Sequence, residues 1–338
     1  MKRRYDELTV MSGIAILFVV AIHGCGSALT RFYPAGATYA DVGLLVRALN
    51  NFVAPAVPMF LFVSGFKYSA NDVNTPYLVF LKKRLPRVLM SFAIINTLFW
   101  LLDSIIYMES FDIVLLAKTY LASWMGNSVA YQLWYIPMYC CVIIVCPLFR
   151  KVIPSTFARF CIYAVVAIVQ RVFEVDFPIL ATYPIRFISY PVFFEMGVLA
   201  QEKSWQEKIS NVRGVFIGIA YFLVTLIFSW FAPVFVTNGI TKFVFFYFVG
   251  TASMFAFSVS LRSCRILRWF GVVSYPIFLL HEPLIGRSTT AVLRFINGVP
   301  EIVHVVCWIS IVLLVSVVLM KIIEKIHLDK LLWNFKLK

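Results

Sequence analysis

Two histidines interrupt apolar stretches of the sequence and are the first candidates for chemistry. His23 lies in the run GIAILFVVAIHG, and His281 ends the run PIFLLH. An imidazole can exchange a proton near neutral pH, and an ionisable side chain inside a long apolar segment is costly, which makes it a functional candidate. The alternative for each residue is a hydrogen bond between packed helices. The residue types alone leave both interpretations open.

Other polar groups near the apolar runs have simpler explanations. Arg171 and Arg186 are typical of anchors whose side chains extend to a membrane surface. The stretch HEPLI, which begins with His281 and Glu282, is not an HExxH zinc motif, because Ile285 stands where the second histidine is needed. The seven cysteines fall mostly in apolar runs and predict no disulfide framework. We therefore expect no metal and no bound cofactor.

The composition indicates which class of protein holds these residues. Of the 338 residues, 62% are hydrophobic and 14% are charged, whereas soluble domains average about half and about a quarter. Apolar runs of about 20 residues, enough to cross a bilayer core, recur along the chain. No G-x-S-x-G elbow, P-loop or dinucleotide fingerprint is present. The sequence predicts an all-α integral membrane protein and gives no support to a soluble enzyme.

The apolar runs predict one membrane domain, residues 1–338, with a bundle of about ten transmembrane helices and no internal repeat. The first run is expected to be a retained helix, because no A-x-A cleavage site follows it. The connection 108–129 contains IVLLAKTYLASW, an interfacial or re-entrant helix, and residues 325–338 form a short basic tail. The predicted spans are 8–29, 46–69, 84–107, 130–149, 157–175, 183–201, 212–232, 243–262, 266–287 and 302–324.

Lysine and arginine predict the orientation of the bundle. With the N-terminus in the cytoplasm, six clusters on that side hold 21 of the 30 basic residues, and an even number of spans places the C-terminus there too. The net charge of +14 then reflects topology and attraction to anionic lipid. The charges are dispersed at helix ends, which argues against nucleic-acid binding.

This orientation places several ionisable residues in the outer half of the membrane. His23 and His281 each lie fifteen residues into a span that runs outward, a depth of about 22 Å. Arg171 and Arg186 belong to the same layer, and His304 is expected at the interface. The sequence does not show whether the helices that carry these residues touch.

Five stretches, in this order along the chain, are similar to segments of one family. LTVMSGIAILFVVAIH is similar to its first helix, VPMFLFVSGF to its second, and FLKKRLPRVL to the basic start of its third. QLWYIPMYCCVIIVCPLF is similar to its tryptophan-bearing helix, and FGVVSYPIFLLHEPL to a late segment that ends in histidine and proline. Together they resemble the acyltransferase 3 family, the multi-pass membrane O-acyltransferases of bacteria, over about residues 1–290.

The resemblance implies a function at the cell membrane. Members of the family transfer an acyl group, usually acetyl, from cytoplasmic acyl-coenzyme A, a co-substrate, to a hydroxyl of a cell-surface glycan or lipid-linked sugar. His23 matches the presumed catalytic histidine, which would act as a general base or carry the acyl group itself. The alternative is an exporter or flippase of an extracellular polysaccharide. Such transporters often contain inverted repeats, and none is apparent here.

The resemblance also suggests residues for substrate binding. Coenzyme A is a polyanion, and a basic region that includes Arg84 and Arg87 would bind its phosphates by charge-assisted hydrogen bonds. Positive-inside topology explains part of this cluster equally well. The candidates for the acceptor side, or for support of the site, are Trp134, Tyr135, Arg171, Arg186, His281 and Glu282.

The first helix departs from the family pattern at one position. The family arginine falls on Ser12, eleven residues before His23, a spacing that puts both residues on one helix face. An anionic donor still needs a cation at that end of the site. The hypothesis is that Lys67 or Arg87 supplies this charge from a different helix.

Overall fold

The computed structural model describes residues 5–38, 41–107, 112–124, 131–173, 188–231, 239–296 and 298–333. Over these ranges the chain forms helices and no strand, which confirms the all-α prediction. The first half contains α1 (Asp6–Phe32), α2 (Leu44–Phe52), α3 (Ala56–Asn71), α4 (Tyr77–Tyr107), α5 (Ile113–Trp124), the 3-10 turn Tyr131–Trp134, α6 (Tyr135–Val152) and α7 (Thr156–Phe173).

The second half begins with α8 (Pro191–Glu202), a single turn (Trp205–Lys208) and α9 (Asn211–Phe231). It continues with a turn (Gly239–Thr241) and a π-helical stretch (Lys242–Val249) that lead into α10 (Gly250–Ser260). The remaining elements are α11 (Arg265–Val272), α12 (Ser274–Leu280), the π-helical segment His281–Ile285, α13 (Gly286–Leu293), α14 (Glu301–Lys325) and α15 (Asp329–Leu332).

Seven segments in the described ranges are long and apolar enough to cross a membrane. They match seven of the ten predicted spans, so the count of ten and the orientation of the termini stay predictions. The predicted spans 157–175 and 183–201 correspond to the shorter helices α7 and α8, and residues 174–187 lie outside the description. The seven are Asp6–Phe32, Leu44–Asn71, Tyr77–Ile105, Gln132–Val152, Asn211–Phe231, Gly239–Ser260 and Glu301–Lys325.

The predicted span 266–287 is interrupted rather than continuous. It divides into α11, α12 and the π-helical segment, and Glu282 has the extended dihedral angles φ −141° and ψ 156°. The cause is Pro283, because a proline ring sterically disfavours the α conformation in the residue before it. The chain therefore turns directly after His281.

Helix α1 occupies the centre of the bundle and packs against α3, α10, α11 and α14. Its contact with α11 is a backbone contact. A Cβ on Gly13 would lie 2.0 Å from the carbonyl oxygen of Leu267, and a Cβ on Gly271 would lie 1.8 Å from that of Thr9. Glycines of this kind allow membrane helices to approach closely. The two helices therefore have a fixed register.

The outward faces of the bundle are apolar. On α9, Phe216 and Ile227 are 68% and 53% exposed, and on α14, Leu314 is 65% exposed. Soluble proteins rarely expose large apolar patches, whereas lipid tails solvate apolar side chains at the surface of a membrane protein. This surface, together with the seven candidate spans, identifies a multi-pass membrane protein.

Arg159, one of the 21 basic residues assigned to the cytoplasmic side, has a structural role. Arg159 is buried, and its guanidinium pairs with Glu195 of α8 through Nε–Oε1 and Nη2–Oε2 distances of 3.1 and 3.0 Å. It also donates to the carbonyls of Ile153 and Pro154. This side chain joins α7 to α8 rather than facing lipid headgroups.

Candidate active site

The two histidines predicted to lie at the same depth are in contact. Gly13 and Gly271 lie at the point where α1 and α11 approach each other. His23 follows Gly13 by ten residues, and His281 follows Gly271 by ten residues. Because α1 runs beside the chain of α11 and α12, equal helical rise brings the histidines together. Their ring centroids are 5.0 Å apart with planes at 57°. His23 is half-buried and His281 is fully buried.

The hydrogen bonds of His281 define its tautomer. Nδ1 lies 3.1 Å from the carbonyl oxygen of Ile277 and 2.9 Å from that of Phe278. A carbonyl only accepts, so Nδ1 carries the proton and Nε2 of the neutral ring has a free lone pair. Nε2 is buried and, within the described residues, has no hydrogen-bond partner. The cluster thus contains an unused proton acceptor next to His23.

A cavity of about 230 Å³ leads toward the histidines from the end of the bundle where α1 begins, hereafter the basic end. Ser12, Lys67 and Arg84 line it near the basic end, and Tyr135 and Phe278 line it at the far end. We call it the central cavity. The Phe278 ring lines the cavity and lies 6.1 Å from the His281 ring, which in turn lies 5.0 Å from the His23 ring. Its walls also carry the hydroxyls of Ser64, Tyr139, Ser274 and Tyr275.

The cations of the central cavity differ in how far they are neutralised. Arg84 Nη2 donates to Asp72 Oδ2 at 2.7 Å, and Lys83 Nζ donates to Asp72 Oδ1 at 3.0 Å. Burial of Asp72 acts to raise its pKa, but the hydrogen bonds from Arg84 and Lys83 outweigh burial and hold the pKa below its usual range. Within the described residues the Lys67 ammonium makes no ion pair or hydrogen bond. Lys67 therefore brings the uncompensated charge.

The position of the absent family arginine lies in this same cavity. Ser12 lines it, and its Oγ donates to the Leu8 carbonyl oxygen at 2.9 Å within α1. Lys67 lines the cavity from α3, whereas Arg87 is exposed and does not line it. Of the two replacements considered from the sequence, the structure brings Lys67 and not Arg87 beside Ser12.

A family model described as an acyltransferase domain matches residues 5–321, nearly the whole chain. The chain belongs to the acyltransferase 3 family. The match extends beyond the stretch of about residues 1–290 over which the sequence resembles this family, and it supports acyltransferase activity in a multi-pass membrane protein. Comparison with curated proteins and with solved structures finds no match.

The other predicted residues of this acyltransferase 3 protein are divided between the site and its surroundings. Tyr135 lines the central cavity, and its ring is 5.6 Å from that of Phe278. Trp134 packs on Tyr190 instead, with ring centroids 5.8 Å apart. Arg171 lies over the Phe243 ring at 5.9 Å, away from the histidine pair. Arg186 lies outside the described residues.

Glu282 and Gln132 form a second polar group beside the histidine pair. The carboxyl of Glu282 is buried against Gly286, and its Oε2 has no hydrogen-bond partner in the described part of the chain. Gln132 donates from Nε2 to the main-chain oxygen of Glu282, and its own Oε1 is buried without a described partner. Gln132 was not predicted from the sequence. The sequence feature that could have indicated this residue is a polar amide side chain near the start of the predicted apolar span 130–149.

A polar network lies one turn further along α1. Ser27 Oγ is 2.8 Å from Thr290 Oγ1 and 3.0 Å from His304 Nε2. Arg31 Nη1 is 2.9 Å from His304 Nδ1, and since a guanidinium only donates, the proton of this imidazole is on Nε2. His304 is buried in this network near the start of α14, and its place at the membrane interface stays a prediction. The network fixes α1 against α13 and α14 on the side opposite to the basic end.

Proposed function

We propose that the protein is an O-acyltransferase of the cell membrane. It moves an acyl group, with acetyl the expected one, from cytoplasmic acyl-coenzyme A to a hydroxyl of a cell-surface glycan or lipid-linked sugar. The observation that carries this proposal is the central cavity, which has cations at the basic end and, at the other, Phe278, whose ring contacts the histidine pair through His281. This arrangement suits a long donor with phosphates at one end and a thioester at the other.

The proposed reaction requires one proton acceptor. His23 takes the proton of the acceptor hydroxyl as its oxygen attacks the thioester carbonyl. The carbon–sulfur bond then breaks, an ester forms, and the imidazolium returns its proton to the coenzyme A thiolate. In the alternative order the acyl group is first attached to His23 and then passed to the hydroxyl. Both orders consume the same substrates and yield the same products.

His281 supports either order as a positioning residue. Its Nδ1 proton is committed to two backbone carbonyls, so its orientation is fixed. Glu282 and Gln132 lie on the side of the pair away from the basic end, and their unpaired oxygens suit the hydroxyl groups of a sugar. The acceptor is therefore expected to approach from the outer side, opposite to the donor.

The test is the substitution His23→Ala in cells and in purified protein. We expect acyl transfer to fall by about 10²-fold or more, because a general base contributes at least that factor, while insertion and the amount of surface glycan are unchanged. Glycan mass spectrometry measures the acyl content, and detection of folded protein in the membrane is the control. Unacylated glycan at the surface supports the enzyme, whereas unaltered glycan retained inside the cell would establish an exporter instead.

A further inference from the structure

A second cavity at the basic end lies outside the site described above. It has a volume of about 190 Å³ and is formed where α3 ends, α4 begins and α6 ends. Three aromatic rings, those of Tyr68, Tyr77 and Phe80, and two cations, Arg150 and Lys151, are among its lining residues. No carboxylate is among the described residues that line it. We call it the peripheral cavity.

Neither cation of the peripheral cavity forms an ion pair with a described residue. The Glu195 carboxylate acts on Arg150 electrostatically but is itself paired with Arg159, and the Arg150 side chain has a hydrogen bond with Tyr68. Lys151 Nζ lies 5.3 Å from the centroid of the Tyr77 ring, a cation–π contact. Arg150 Nη1 is buried and makes no hydrogen bond to any described residue. A guanidinium with an unused buried donor is suited to bind a phosphate group.

The peripheral and central cavities follow one another along the same three helices. On α3, Lys67 lines one cavity and Tyr68 the other; on α4, the Arg84 guanidinium of the central cavity lies 6.0 Å from the Phe80 ring of the peripheral one. On α6, Tyr139 and Arg150 are eleven residues apart, a rise of about 16 Å. The chemistry thus changes in order from rings and cations, through Arg84 and Lys67, to a hydroxyl-lined wall and the histidines.

We infer that the peripheral cavity binds the phosphoadenosine end of acyl-coenzyme A, an inference that rests on the proposed function. The adenine ring stacks on the aromatic side chains, and the 3′-phosphate is held by Arg150 and Lys151. The pyrophosphate then lies near Arg84 and Lys67, and the pantetheine arm occupies the central cavity. The order of groups along the donor matches the order of side chains along the two cavities.

The test compares coenzyme A with dephospho-coenzyme A, which lacks only the 3′-phosphate, in binding to the purified full chain in nanodiscs of zwitterionic lipid. We expect the wild type to bind coenzyme A about 10-fold or more tightly than dephospho-coenzyme A, because only the 3′-phosphate makes charge-assisted hydrogen bonds with Arg150 and Lys151. Arg150→Gln is expected to abolish this preference and to leave dephospho-coenzyme A binding unchanged. Arg150→Lys keeps the charge and should retain part of it.

Two matched controls accompany the test. Lys208→Gln removes the same charge from an exposed position that lines neither cavity and should preserve the preference. Tyr77→Leu should weaken both ligands equally, since both contain adenine, whereas Tyr77→Phe keeps the ring and loses only the hydrogen bond from the Tyr77 hydroxyl to the Ile144 carbonyl. Near-wild-type affinity in Tyr77→Phe supports ring stacking.

A phospholipid headgroup offers the same phosphate chemistry at a membrane edge. If Arg150→Gln reduces retention of phosphatidylglycerol in native mass spectrometry but keeps the preference for coenzyme A, a lipid occupies the cavity and the inference is wrong. If Arg150→Gln lowers the affinity for coenzyme A and for dephospho-coenzyme A equally, the inference about the peripheral cavity is also wrong. The proposed function is unaffected by that result as long as the wild type transfers acyl groups. If the wild type neither binds coenzyme A nor transfers an acyl group, the proposed function itself fails.

Discussion

At the scale of single residues, the site depends on which polar atoms are already satisfied. His281 has its Nδ1 proton bound to two carbonyls and its Nε2 unpaired in the described part of the chain. Lys67 has no described counter-ion, whereas Arg84 shares Asp72 with Lys83. Lys67 is therefore expected to meet the donor, and His281 Nε2 is available to the neighbouring His23.

His281→Ala tests the role of the second histidine. Loss of the ring removes a packing surface and a proton acceptor beside His23, so we expect kcat to fall by less than the roughly 10²-fold loss expected for His23→Ala. KM for acyl-coenzyme A should change little, because His281 is not among the residues that line the central cavity. Steady-state kinetics with a thiol-release assay measure both constants. A raised KM with unchanged kcat would assign His281 to donor binding instead.

Lys67→Ala tests the replacement of the missing arginine. We expect KM for acyl-coenzyme A to rise by about 10-fold, since hydrogen bonds to charged groups contribute roughly 1.5–3 kcal/mol. Arg87→Ala, which removes an exposed cation outside the cavity, should have a smaller effect. Introducing Ser12→Arg into the Lys67→Ala variant should restore part of the donor affinity. The compensation hypothesis would be wrong if Lys67→Ala were silent.

At the scale of helices, the position of the site is set by close backbone contacts. The sequence predicted the depth of His23 and His281 from helical rise, because depth needs only the start of each span. It could not predict their contact, which depends on the packing of Gly13 against Leu267 and of Gly271 against Thr9. Gln132 was missed for the same reason, since its partner is a main-chain oxygen distant in sequence. Pro283 was visible, but the break at Glu282 was not predicted.

Gly271→Ala tests the contact between α1 and α11. A methyl group there would meet a backbone oxygen that cannot rotate away, so we expect a loss of about 1–3 kcal/mol of stability or more, together with lower activity. Thermal unfolding of the detergent-solubilised protein measures the change. Gly239→Ala is the control, because the nearest atom to its added Cβ is 3.8 Å away. Equal melting temperatures for the two variants would contradict the close contact.

At the scale of the whole molecule, the orientation in the bilayer is predicted by the distribution of basic residues. The all-α character and the membrane class followed from composition and run length, which need no tertiary information. The number of crossings did not follow, because α7 and α8 are short and the chain around His281 is interrupted. The apolar runs still predict ten spans, and the positive-inside rule together with this even number predicts that both termini are in the cytoplasm.

Cysteine labelling of intact cells tests this topology. Single cysteines placed near Asp41, Asp112 and Gly239 in a cysteine-free background should all react with an impermeant maleimide. Cysteines near Lys208 and Lys330 should react only after the cells are opened. Protection of any two of the first three positions would overturn the ten-span arrangement.

The paired contacts of α1 with α11 also set a fixed length in the chain. His23 and His281 meet because each is ten residues from its glycine. Inserting one residue between Gly13 and His23 would turn the imidazole by about 100° and move it by about 1.5 Å along the axis. One residue inserted in each of the two segments would keep the two rings at the same height along the helix axes but turn both away from each other. Function therefore constrains the number of residues in these stretches even where it tolerates changes in the apolar side chains.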